Sequence, residues 1–108
     1  MEDFRIIYRI LRILQKSMDL EEFDQNSISA EALGLSDPKW SRLMAMLLKE
    51  GYISGGETWN ALECGYPRVA LTRPELTLKG LEYLEENSLM RKASDLAKGI
   101  VDTASNII

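Results

Sequence analysis

SAEALGLSDPKWSRLMAMLLKEG, residues 29–51, carries two helix signals separated by a glycine turn. Ser29 is an N-cap residue type standing directly before Ala30–Leu33. Gly34 stands where a helix C-terminus takes a left-handed residue. Leu35-Ser36 follow as a tight turn. Asp37-Pro38 then reads as N-cap and first helical position, because proline has no N–H to lose there. From Pro38 to Glu50 the helical period puts Trp40, Leu43, Met44 and Leu47 on one side and Ser41, Arg42, Ala45 and Lys49 on the other. Gly51 ends the run. A short helix, a turn with glycine and a second amphipathic helix make a helix-turn-helix.

Upstream, helical periodicity begins at once. At about 100° per residue, Arg5, Arg9, Arg12 and Lys16 share one narrow stripe. Apolar residues from Phe4 to Met18 cover most of the remaining circumference, the pattern of a helix packed on two sides and ending near Asp19. Glu21-Glu22-Phe23-Asp24 has no such period and reads as a connection or a short strand. Downstream, Tyr52-Ile53 starts a strand, and Gly55-Gly56, Gly65 and Pro67 mark a turn-rich excursion. Arg68–Thr72 alternates as a second strand, with Pro74 arguing for an edge or a bulge. Thr77 caps the next helix, with Leu76 and Leu81 placed as a hydrophobic staple. Ser88 caps a last helix in which Leu89, Ala93, Leu96, Ala97, Ile100, Ala104 and Ile107 form an apolar stripe.

Helix, short connection, helix-turn-helix, hairpin and helix is the order of a winged helix. The expected fold class is α+β and mostly helical: a winged helix-turn-helix with a β-hairpin wing and an additional C-terminal amphipathic helix. One domain spans residues 1–108, with a winged-helix core over 1–87 and the terminal helix over 88–108. The exit Lys49-Glu50-Gly51-Tyr52-Ile53 and the return LTLKGLEYLEEN, residues 76–87, fit that order. More narrowly, the chain resembles the YjcQ-like family of small bacterial and prophage proteins. The resemblance is carried by Phe4-Arg5-Ile6-Ile7-Tyr8-Arg9-Ile10-Leu11, Ile28-Ser29-Ala30-Glu31, Leu33-Gly34, the LTLKGLEYLEEN stretch and residues 88–99. It covers nearly all of the chain except the wing, residues 55–73. It implies a winged helix and brings no catalytic or binding residues with it.

Composition narrows the functions. The chain has 108 residues, enough for one core. It has no histidine, which removes Ser/His and Cys/His catalysis and His metal sites. One cysteine, Cys64, forms no internal disulfide and no paired-cysteine metal site, as expected in a reducing compartment. Its neighbour Glu63 is anionic, not the cation that activates a nucleophilic thiol. There is no phosphate-binding glycine loop and no dinucleotide fingerprint. No apolar run approaches the roughly 18 residues of a membrane span, and the N-terminus lacks a signal peptide's features. The expectation is a cytoplasmic, non-enzymatic protein with no cofactor, no small-molecule substrate and no membrane association.

The net charge is −4, from 13 basic and 17 acidic residues, but it is zoned. Residues 19–37 carry six acidic groups and no basic one; residues 38–55 carry three basic and one acidic. The basic zone includes the second helix of the motif, whose outer face suits a major groove about 12 Å wide. The expectation is a DNA-binding transcriptional regulator of bacterial or prophage origin, with double-stranded DNA as partner. Arg42 would meet a guanine or a phosphate, and Lys39 and Lys49 phosphates. Ser41 and Ala45 would let the backbone approach, and Arg68 and Arg73 near the wing would reach a neighbouring phosphate or the minor groove. The alternative is a non-enzymatic adaptor using the acidic surface, Trp59 or the C-terminal stripe, with Arg42 and Lys49 only a solvated or carboxylate-paired face. Glu57 and Glu63 make the wing itself unfit for phosphate. The C-terminal stripe covers the first helix, pairs two copies as a homodimer or lies on a membrane surface, the last opposed by a weakly basic polar side and an apolar side without Trp or Phe.

Overall fold

A computed structural model describes residues 2–88. Helix α1 (Glu2–Ser17) opens with Glu2 and Asp3 and closes with Lys16, charges that complement its dipole. Ile10, Leu11 and Leu14 are fully buried along its inner side. The acidic stretch that follows is a connection leading into a 3-10 turn, Gln25–Ile28, capped by the Asp24 carboxylate. Helix α2 (Ala30–Leu33) is capped by Ser29, whose hydroxyl accepts from the Ala32 N–H, and Gly34 ends it in the left-handed region.

Helix α3 (Asp37–Lys49) begins one residue earlier than the proline suggests. Its N-cap is Ser36, not Asp37: the Ser36 hydroxyl accepts from the Lys39 N–H at 3.3 Å. Asp37 instead adds a negative charge to the first turn, and Pro38 sits just inside the helix. Ser36→Ala should therefore cost about 1 kcal/mol, and Asp37→Ala only about 0.5 kcal/mol, read as shifts of the urea midpoint. Trp40 points inward, and its indole N–H donates to the Ile28 carbonyl at 2.7 Å, docking α3 on the 3-10 turn.

Strands β1 (Ile53–Trp59) and β2 (Arg68–Leu76) pair antiparallel as a two-stranded hairpin. Gly55 and Gly56 lie inside β1 rather than in a turn, so the reversal is confined to residues 60–67. The register runs Ile53 opposite Leu76 and Ser54 opposite Glu75, then resumes with Gly56 opposite Leu71. One residue of β1 thus faces three of β2, a bulge at Thr72-Arg73-Pro74. Proline fits there because a bulge needs no ladder N–H from it. The bulge is tied outward: Gln25 donates to the Thr72 carbonyl at 2.9 Å, and Arg73 donates to the Glu21 carbonyl at 3.0 Å.

Helix α4 (Leu78–Glu86) is capped by Thr77, which accepts from the Gly80 N–H and donates to the Gly51 carbonyl. One hydroxyl thereby fixes the end of the hairpin to the end of α3. Tyr83 packs edge-on against Tyr52, ring centroids 5.4 Å apart. Burial, and then the neighbouring Tyr52, push its phenol above the usual tyrosine value. The core joins Ile10, Leu11, Leu14, Ile28, Leu33, Met44, Leu47, Ile53 and Leu84 into one cluster. This is a winged helix-turn-helix. The additional C-terminal helix, and the homodimer expected through it, fall outside the described residues.

Candidate nucleic-acid interface

The water-facing side of α3 is narrower than its sequence suggests. Ser41 and Ala45 do not belong to it: they are 8% and 2% exposed. The hairpin packs against α3 in addition to the core helices, so the covered arc extends past Leu43, Met44 and Leu47 to the small residues. Neither side chain is available at the outer surface, which corrects their expected place on the reading face. Small side chains here allow close packing within the protein, not close approach to a ligand.

What remains outside is Lys39, Arg42, Met46 and Lys49, spaced i, i+3, i+7 and i+10 along one stripe. Met46, 51% exposed, is the member that sequence reasoning missed. Its position between Arg42 and Lys49 in the helical period was the available signal, but a methionine at that spacing reads as core.

The cations of the stripe differ in their company. Lys39 meets the Asp3 carboxylate of α1 at 2.8 Å, so its charge is partly neutralised. Arg42 is exposed and donates from Nη2 to the Gly65 carbonyl at 3.2 Å, linking the helix to the wing turn. A guanidinium has five donors, so this bond leaves most of its hydrogen-bonding capacity for an acceptor outside. Lys49 is exposed in the last turn. Among the described residues neither Arg42 nor Lys49 has a carboxylate within ion-pair distance.

The hairpin contributes unequally. Arg68 is exposed at the start of β2, opposite Trp59. Arg73 has different partners: it bonds the Glu21 carbonyl and lies 3.3 Å from the Glu75 carboxylate, on the acidic side of the molecule. The structure therefore groups Arg42 with the wing turn and assigns Arg73 to the bulge. At the wing's far end Trp59 is 49% exposed and Leu62 fully so, with Glu57 and Glu63 exposed beside them.

The family model described as YjcQ protein matches residues 8–103. The chain belongs to the YjcQ family. No curated protein and no solved structure matches it significantly. The match takes in the residues that carried the resemblance from Tyr8 onward and also runs through the wing, residues 55–73, which the resemblance left out; the helix-turn-helix with its hairpin is the fold that resemblance implied. No described helix of this YjcQ family member is long and apolar enough to cross a membrane. Among the described residues no cluster of cysteine and carboxylate side chains is arranged to hold a metal ion.

Proposed function

We propose that this YjcQ family member binds double-stranded DNA through the outer stripe of α3 and acts as a transcriptional regulator of bacterial or prophage origin. The observation that carries the reading is the exposure of Arg42 and Lys49 without carboxylate partners among the described residues. The two lie on one face of one helix, next to the hairpin that follows it, so a single duplex can meet both. Arg42 meets a base edge or a phosphate, Lys49 a phosphate, and Arg68 a phosphate beside the wing. Lys39 contributes less while Asp3 holds it. The mechanism is occupancy of a site on the duplex, with no bond made or broken.

The test is fluorescence anisotropy of labelled random and genomic duplexes against salt. Retention at about 50 mM salt is expected, falling steeply as salt rises. Arg42→Ala with Lys49→Ala should weaken binding and flatten the log–log salt slope by about 1 for each phosphate no longer neutralised. No retention at low salt would overturn the reading. It would favour the adaptor, for which the exposed Trp59 and Leu62 on an acidic wing are the supporting observation.

A further inference from the structure

A cleft of about 220 Å³ opens between the end of α1, the connection after it and the bulged part of β2. Its apolar wall includes Leu14, Met18, Leu20, Phe23, Pro74 and Leu76. Met18 and Leu20 stand 58% and 60% exposed beside each other in its lining. The bulge shapes the cleft, because it places Pro74 in the wall with Arg73 and Glu75 beside it.

The connection that carries Leu20 and Phe23 also carries Asp19, Glu21 and Glu22, all exposed and, among the described residues, without an ion pair. Glu21 and Glu22 line an adjoining hollow that shares Phe23, Arg73 and Pro74 with the cleft. Arg73 is matched with Glu75, which leaves Lys16 as the other cation of this neighbourhood. Apolar side chains in the cleft with unpaired carboxylates on the adjoining connection complement a chain segment with apolar anchors flanked by lysine or arginine. The volume lies below the roughly 300–1,000 Å³ of pockets that enclose small molecules. It suits one or two anchoring side chains, as at the centre of a peptide interface.

We infer that this cleft docks a basic amphipathic segment of another protein, its apolar residues between Met18, Leu20 and Phe23 and its cations against Asp19, Glu21 and Glu22. None of the lining residues belongs to α3, so the inference is independent of duplex binding and fails or succeeds separately from it. It gives the molecule two faces of opposite preference.

The experiment uses the full chain and three labelled synthetic peptides of equal length. The first has a Leu-Phe anchor pair flanked by lysines, the second glutamates for the lysines, and the third alanines for the anchors. Anisotropy should show saturable binding of the first and at least tenfold weaker binding of the other two. Leu20→Asp, and separately Glu21→Lys with Glu22→Lys, should each weaken the first peptide about tenfold or more. All three substituted residues are exposed, and an unchanged thermal midpoint verifies the fold. Absence of binding, equal binding of the three peptides, or binding indifferent to both sets of substitutions would overturn the inference. So would sedimentation revealing a dimer that Leu20→Asp dissociates, since a second copy would then be the occupant.

Discussion

Gly55→Ala is expected to destabilise the protein by about 3 kcal/mol or more, while Gly51→Ala costs only about 1–2 kcal/mol. The two glycines have nearly the same φ, +86° and +82°. A side chain at either position therefore meets the strain of a positive φ. Their surroundings differ. A Cβ on Gly51 meets nothing within 4 Å, whereas one on Gly55 would lie 1.9 Å from the Arg73 carbonyl oxygen. That oxygen belongs to the backbone of the bulge, which cannot swing aside as a side chain can. Accommodation requires the bulge to move, and with it the Arg73 bond to Glu21 and the Gln25 bond to Thr72. Urea midpoints of the two variants measure the difference. Equal destabilisation would mean that conformational strain alone governs both sites, and that the close approach across the hairpin carries no energetic weight.

Leu11→Ala should cost about 2–5 kcal/mol, a large part of the roughly 5–15 kcal/mol that holds a domain of this kind together. Leu11 is fully buried and shares one cluster with Ile10, Leu14, Met44 and Leu84. Truncation removes its transfer energy and leaves a cavity, because neighbours drawn from three different helices cannot all close on the gap. In a chain of this size the change corresponds to a fall of at least about 8 °C in the thermal midpoint. Arg9→Ala, on the exposed side of the same helix, should change stability by no more than about 0.5 kcal/mol. Comparable destabilisation at the two positions would contradict the orientation of α1.

These contrasts also mark how far the sequence was legible. Ser29, Gly34 and Thr77 announced their roles because capping is local chemistry, completed within a few residues of the cap. The boundary of α3 was harder. Ser36 and Asp37 are both capable caps, adjacent to each other, and only the backbone path selects between them. The burial of Ser41 and Ala45 was not legible at all. A small residue fits a protein interface as well as a water-facing surface, and the width of the covered arc depends on a hairpin that reaches α3 from later in the chain. The same limit hid the Lys39–Asp3 ion pair, which joins two helices far apart in sequence, and the turn of Arg73 toward Glu21. Pro74 did signal a bulge. What it could not tell was which neighbour the bulge would present its arginine to.

The bond from Arg42 to the Gly65 carbonyl couples the outer face of α3 to the posture of the hairpin. An outside acceptor that takes the Nη2 donor itself, rather than one of the four free ones, would loosen the wing, and a wing that lifts would return that donor to solvent. By thermodynamic reciprocity the two effects are equal in size. If α3 binds a duplex as proposed, a substitution in the turn at residues 60–67 should change that affinity without touching the duplex.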